Sequence, residues 1–173
     1  MTYTPDRSIT HCGYCGSPYG QLREWPRDCP SCMETIWRNP LPVAVTLLPV
    51  DDDGTVRLLV ARRTIEPSRG ELALPGGYME VGETWQQAAV RELREETVID
   101  ADDVDIALFD VMTGHDTVQI FGVLPTRTLA DLPDSVATAE SEGWSLLAAE
   151  HADQLAFPTQ RAVASAFFAG LAA

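Results

Sequence analysis

Glu83, Glu92, Glu95 and Glu96 are the residues with the clearest chemical potential in this sequence. Offsets of three and four place Glu92, Glu95 and Glu96 on one face of a helix, opposite Trp85, Ala89 and Leu93. Like charges at that spacing repel by about 0.2–0.5 kcal/mol per pair, so something positive has to answer them. Arg91 and Arg94 could do so, and the stretch would then be an ion-paired, solvated face. The other answer is a hard divalent cation, Mg²⁺ or Mn²⁺, which takes a packed set of carboxylate oxygens. The upstream loop favours the cation. Gly76-Gly77 is expected to let the backbone bend, and Glu83 to aim a further carboxylate at the same face.

A second metal chemistry stands at the N-terminal end. All four cysteines occur as Cys12-x2-Cys15 and Cys29-x2-Cys32, with thirteen residues between the pairs. Each pair sets two thiolates on one tight knuckle, and two knuckles make a tetrahedral site for zinc. Turn formers surround them (Gly13, Gly16, Pro18, Gly20, Pro26, Pro30), so the segment has little apolar surface with which to fold unaided. A redox dithiol is the competing reading. A structural zinc ribbon from about His11 to Trp37 accounts for more of the segment. His11 adjoins the first ligand, yet four cysteines already fill the site. A full shell leaves no position for substrate, so this zinc is expected to be structural.

Scaffold elements have to position both centres. Asn39-Pro40-Leu41-Pro42 reads as a linker, dividing a ribbon over 1–38 from a larger domain over 39–173. Val43–Val50 and Thr55–Ala61 read as strands joined by a hairpin turn at Asp51-Asp52-Asp53-Gly54. A short strand over Leu72–Leu74 leads to Pro75-Gly76-Gly77. Thr84 and Gln87 form a capping-box pattern ahead of a helix with Trp85, Ala88, Ala89, Leu93 and Thr97 as its core stripe. Val104–Met112 and Val118–Pro125 read as strands around a turn at Thr113–Asp116, Asp131–Ala139 as a surface loop, and Trp144–Leu147 as a last strand. Ala162, Val163, Ala166, Phe167 and Leu171 have the spacing of a closing helix. The order implies a mixed sheet with helices, hence α/β or α+β.

Composition narrows the chemistry. Of 173 residues, 45% are hydrophobic, enough for one domain with a core and a small appendage. All twelve basic residues are arginine, which excludes Schiff-base chemistry, a lysine base and a P-loop lysine. Twenty-six acids give a net charge of −14, a balance that disfavours a broad nucleic-acid surface. No stretch approaches the roughly 20 apolar residues of a membrane span. Met1–Ile9 is polar and lacks the apolar run of a signal peptide, so a cytoplasmic protein without membrane contact is expected.

The pattern Gly77-x5-Glu83-x7-Arg91-Glu92-Leu93-x-Glu95-Glu96-x-Val98-Ile99 resembles the Nudix box, G-x5-E-x7-R-E-U-x-E-E-x-G-U with U a bulky aliphatic. Eight of nine specified positions agree over 23 residues, and Val98 stands where the second glycine belongs. A glycine there suits a left-handed helix end, so either the helix ends differently or the loop has shifted. The resemblance implies a Nudix-like α/β/α sandwich with a mixed sheet, preceded by the ribbon. It implies hydrolysis of a nucleoside diphosphate linked to another moiety. By position, Glu92, Glu95 and Glu96, with Gly77, would hold Mg²⁺ or Mn²⁺. Glu83 would assist, and Arg91 would orient the acids by ion pairing.

Outside the box, Nudix enzymes often bring a further acid from a later loop, and Glu140 and Glu142 are the candidates here. Arg62 and Arg63, at the end of a strand, could hold phosphate. A ribbon ahead of the box resembles NAD(H) pyrophosphatases, whose Ser-Gln-Pro-Trp-Pro-Phe-Pro-type motif is absent here. It also resembles shorter ADP-ribose or FAD pyrophosphatases, which Leu155-Ala156-Phe157-Pro158-Thr159 fits better. ADP-ribose and FAD therefore stand ahead of NADH and nucleoside triphosphates as the small-molecule nucleotide substrate. Many relatives are dimers, so a homodimer is the assembly to test for. A rival of another class is a non-catalytic nucleotide sensor whose ribbon binds a partner through Arg23, Arg27 and Arg38 interleaved with Tyr14, Tyr19, Trp25 and Trp37.

Overall fold

The structure, a computed structural model, describes residues 9–20 and 24–171. Arg23, named above in the sensor reading, and residues 1–8 of the polar N-terminus lie outside the described residues. The chain forms two compact units, one ending at Pro40 and the other beginning at Leu41.

In the small unit the only regular pairing among the described residues is the antiparallel ladder of β1 (Arg27–Asp28) with β2 (Thr35–Ile36). Its buried core is Cys12, Tyr19 and Cys29, too little to fold on apolar burial alone. Arg27 lies over the Trp25 ring at 4.1 Å and the Tyr19 ring at 5.3 Å. It also donates to the carbonyls of Ile9 and Glu24. Three of the residues proposed for partner contact, Tyr19, Trp25 and Arg27, are therefore spent on the unit's own packing.

The larger unit follows the period-2 logic of strands buried on both faces. Along β3 (Leu41–Leu47), Ala44 faces one core with helix α1 (Trp85–Thr97), while Val45 and Leu47 face a second core with helix α2 (Pro158–Leu171). Along β5 (Thr55–Arg63), Leu59 joins the first core and Leu58 and Val60 the second. The result is helix, sheet and helix in layers.

The single run expected over Val43–Val50 is instead two strands. β3 ends at Leu47, and β4 (Pro49–Asp52) belongs to the other sheet. Pro49 has no N–H to continue the first ladder, and the chain changes sheet at Leu48, whose carbonyl accepts from Leu59 N–H at 3.0 Å. One sheet orders β7 (Gly76–Tyr78), β3, β9 (Thr117–Val123) and β8 (Ala107–Thr113), with β3 and β9 parallel. The other orders β10 (Arg127–Thr128), β4, β5 and β11 (Ser141–Leu147), and β6 (Leu72–Ala73) also pairs with β5. Both sheets are mixed, as expected.

Local chemistry sets the boundaries. Asp53 and Gly54 both take positive φ in the β4–β5 turn, and Gly54 N–H donates to Asp51 Oδ1 at 2.7 Å. Thr84 and Gln87 make the capping box of α1 in both directions. Strand β8 starts at Ala107 rather than Val104, because the Asp102 carboxylate and carbonyl capture the N–H groups of Val104 and Asp105 in a turn. The closing helix buries Gln160, Val163, Ala164 and Phe167. Ala162, Ala166 and Leu171, expected in its core stripe, are exposed, since the buried face follows offsets of three and four from Gln160.

Candidate metal centre and its surroundings

Sheet register brings β7 beside α1. Gly76 pairs with Val45 and Gly77 with Ala44, so the two glycines lie in an extended strand and do not form the expected bend. Space is the reason glycine is required. A Cβ on Gly77 would overlap the Glu92 carboxylate, and one on Gly76 would meet the backbone of Ala44 and Val45.

The three helix carboxylates separate in environment. Glu92 and Glu96, four residues apart, are 8% and 6% exposed and point inward beside the Ala89 and Leu93 stripe. Glu95 is at the rim with its side chain 58% exposed. The expectation that all three acids lie opposite the core stripe is thus corrected: Glu92 and Glu96 follow Ala89 by three and seven residues and lie on the stripe's own face, whereas Glu95 lies off it. Burial pushes the Glu92 carboxyl up, against the opposing pull of Arg91. Burial pushes Glu96 up to about 8, and the neighbouring Glu92 charge adds to it, while Arg63 and the Gly76 N–H oppose. Glu140 adds a repulsive field at both Glu92 and Glu96.

Arg91 organises the set. Its Nε and Nη2 donate to the two oxygens of Glu83 at 3.1 and 2.8 Å. Its Nη1 donates to Glu92 at 2.7 Å and to Glu95 at 3.3 Å, and its Nη2 also reaches the Tyr78 carbonyl at 3.1 Å. Glu83 further accepts from the Glu80 N–H. The Arg91 guanidinium thereby holds Glu83 below the usual carboxylate range. One guanidinium ties the β7 end, the pre-helix loop and two turns of α1 together.

The second ring of residues is divided by strand alternation. Arg63 ends β5 opposite Ser141; its guanidinium lies 5.4 Å from the Phe157 ring, and its Nε donates to Pro67 O at 2.8 Å. Its charge is felt at Glu96. Arg62, one residue earlier, turns to the Gly70 carbonyl at 2.6 Å. Glu140 is held next to Arg63 by the Thr64 N–H donating to its carbonyl at 3.0 Å. Glu142 is exposed in the irregular stretch between Ser141 and Trp144. Val98 caps α1 with φ 56° and ψ 22°, its N–H donating to Arg94 O at 2.8 Å. The helix therefore ends in the left-handed turn that suits glycine, and a β-branched residue accepts the strain, on the order of 1–2 kcal/mol.

In the small unit, the sulfur atoms of Cys12, Cys15, Cys29 and Cys32 all lie within 4.8 Å of one another. The two knuckles repeat the same backbone bonds. Gly16 N–H donates to Cys12 O and Met33 N–H to Cys29 O, while Cys12 N–H donates to Ser17 O and Cys29 N–H to Glu34 O. Gly16 and Met33 occupy the matching left-handed positions, at φ 74° and 62°. Hydrogen bonds from the Ser17 hydroxyl and N–H pull the Cys15 thiol down to about 6. Four converging sulfurs, one already inclined to thiolate, are a donor set suited to zinc.

Sequence reasoning missed Gln160, a polar residue on the buried face of α2. Only its position among Val163, Ala164 and Phe167 could have marked it.

A sequence model of the NUDIX domain matches residues 40–167. The NAD-capped RNA hydrolase NudC of Edwardsiella ictaluri (strain 93-146) is 36% identical over 92 residues, covering 53% of this chain and 34% of that protein. NudC of Shigella flexneri is 36% identical over 94 residues, 54% of this chain and 35% of its own. The chain spans about a third of the length of these relatives. The crystal structure of a NUDIX hydrolase from Nitrosomonas europaea superposes with a TM-score of 0.67 at 25% identity, covering 91% of this chain and 89% of that one. The Ap4A hydrolase of C. elegans, at 19% identity and a TM-score of 0.62, covers 75% of this chain and 98% of its own, and shares the fold. Among the described residues no helix is long and apolar enough to cross a membrane. With Glu83, Glu92 and Glu95 gathered on Arg91 and the family pattern matched over residues 40–167, this chain belongs to the Nudix family.

Proposed function

We propose that this chain is a divalent-metal-dependent pyrophosphohydrolase acting on a nucleoside diphosphate linked to another moiety and releasing a nucleoside monophosphate. The buried pair Glu92 and Glu96 carries the reading. Two inward carboxylates whose charge is resisted by burial and by each other, with the Glu140 charge adding to the repulsion, form an all-oxygen pair that a hard cation satisfies. Mg²⁺ or Mn²⁺ would be held by Glu92, Glu96 and Glu95, with the Gly77 backbone beside them. When bound, it supplies neutralisation of the pyrophosphate and a lowered pKa for the attacking water.

The remaining roles belong to side chains. Arg91, braced by Glu83, orients Glu92 and Glu95. Arg63, resting on Phe157, offers its terminal nitrogens to a phosphate, whereas Arg62 is directed to the Gly70 carbonyl. Glu140 takes the proton of the attacking water. The water oxygen bonds to one phosphorus, the bridging P–O bond breaks, and the bridging oxygen leaves with the other phosphate. The ribbon over 1–38 is a zinc-stabilised module and 39–173 the hydrolase domain. The cytoplasm, where nucleotides and reduced thiols coexist, is the setting we assign.

ADP-ribose, FAD and NAD share the dinucleotide or sugar-nucleotide pyrophosphate this reading requires. The NudC resemblance favours NAD more than the motif comparison alone did, although the Ser-Gln-Pro-Trp-Pro-Phe-Pro-type motif is absent. The test is Mg²⁺-dependent release of nucleoside monophosphate from ADP-ribose, FAD, NADH and nucleoside triphosphates. Turnover on a dinucleotide supports the proposal. No turnover on any, with tight RNA or DNA binding, would instead establish the sensor reading. Zinc well below about one per chain would remove the ribbon assignment.

A further inference from the structure

We propose that Gln160, on the first turn of α2, is a positioning residue for the metal carboxylates of α1, acting through the main chain of residues 74–77. The inference rests on the reading that Glu92 and Glu96 hold the divalent cation.

Gln160 is 5% exposed and makes both of its bonds to one residue. Its Oε1 accepts from the Leu74 N–H at 2.9 Å, and its Nε2 donates to the Leu74 carbonyl at 3.4 Å. Leu74 lies between β6 and β7, where the ladder with β5 has ended and that with β3 has not begun. A side chain from a helix 86 residues away therefore replaces the missing strand partner. The segment leads directly into the metal centre. Pro75 O accepts from Thr46 N–H, the Gly76 N–H offsets the charge of the Glu96 carboxylate, and Gly77 lies against Glu92.

The neighbouring residue of α2 extends the device to the other sheet. Thr159 donates its hydroxyl to Gln119 Oε1 on β9, whereas Gln160 grips the segment leaving β6, which is paired with β5. One helical turn thus holds on to both sheets, at Gln119 of one and at the segment leaving the other. An apolar residue would fill the same space in the buried face of α2 yet leave Leu74 unanchored. The effect should appear in metal affinity before it appears in substrate binding, because the anchored segment touches the carboxylates.

The experiment measures Mn²⁺ binding to the full chain by electron paramagnetic resonance, with the cysteine cluster kept zinc-loaded. Five proteins are compared: wild type, Glu96→Gln, Gln160→Met, Gln160→Glu and Val163→Ala. Val163→Ala loosens the same helix and core while keeping both Gln160 bonds to Leu74. Gln160→Met is expected to weaken Mn²⁺ binding about tenfold or more, the scale of losing an outer-shell partner of a metal site. Its kcat should recover at saturating Mn²⁺, and Val163→Ala should bind Mn²⁺ like the wild type. Gln160→Glu keeps an acceptor for the Leu74 N–H and should recover part of the affinity, and it carries the test if Gln160→Met does not fold. Wild-type affinity in the folded Gln160 variants, or a loss matched by Val163→Ala, overturns the proposal. Glu96→Gln binding Mn²⁺ like the wild type would overturn the metal assignment itself, whatever Gln160 does.

Discussion

Replacing Glu96 by glutamine should stabilise the metal-free protein at alkaline pH and leave it unchanged at mildly acidic pH. In the folded chain the Glu96 carboxyl is pushed up to about 8 from an ordinary value of 4.5, by burial first and then by Glu92. Glu140 adds to the repulsion, and Arg63 and the Gly76 N–H oppose it. Between those values the folded state holds a proton that the unfolded chain has released. Stability therefore falls as pH rises through that window. Each pH unit of difference corresponds to about 1.4 kcal/mol, so the penalty by about pH 8 is on the order of 3–5 kcal/mol. Glutamine is neutral throughout and also spares Glu92 one like charge. At roughly 2–4 °C per kcal/mol for a chain of this size, the variant should melt on the order of 10 °C higher in chelator at about pH 8 and no higher near pH 4.5. Mn²⁺ should shrink the advantage, since a cation at a hundred times its Kd stabilises the wild type by about 2.7 kcal/mol. The assay is thermal unfolding against pH with chelator or with Mn²⁺. A flat wild-type profile from about pH 5 to 8 in chelator, or a variant that tracks it, would refute the reasoning. The acid side has the opposite sign. Arg91 holds Glu83 below its usual range, so that contribution is present above the ordinary carboxylate value and is lost as pH falls through the depressed one.

Three further outcomes are expected. Glu95→Gln should fold normally and lose at least about tenfold in turnover, equivalent to about 1.4 kcal/mol in the barrier; a purified, folded variant with a near-normal rate would remove Glu95 from the metal set. Gly77→Ala should displace the Glu92 carboxylate and abolish metal-induced stabilisation while the circular dichroism stays unchanged, because Gly77 is an extended strand residue with no need of positive φ. Met33→Gly should tighten zinc binding about two- to fivefold in a chelator competition: Met33 is 77% exposed, has little burial to lose and sits at φ 62° where the other knuckle has Gly16. Weaker zinc binding in that variant would show the left-handed strain to be unimportant.

Chemistry of residue type and spacing was readable without any fold. Two C-x2-C pairs imply four converging sulfurs because a knuckle is a local structure, and they do converge within 4.8 Å. Thr84 and Gln87 begin α1 where the capping box requires, and the Asp53-Gly54 turn closes its hairpin, again through contacts a few residues apart. The family pattern from Gly77 to Ile99 could likewise be read from the chain alone.

What the sequence left undecided depends on contacts between distant segments. Helical spacing sets Glu92 and Glu96 on the side of Ala89 and Leu93, but only the packing of α1 against β3 and β7 buries both of them and leaves Glu95 at the rim. Adjacent arginines look interchangeable until strand alternation sends Arg63 toward Phe157 and Arg62 to the Gly70 carbonyl. Gly76-Gly77 reads as a bend by propensity, whereas pairing with β3 makes it a strand whose glycines are required by a carboxylate and a neighbouring backbone. Propensity and period act within one turn or one strand pair. Burial, which sets the charge state of Glu96 and gives Gln160 its partner 86 residues away, exists only once the layers have closed.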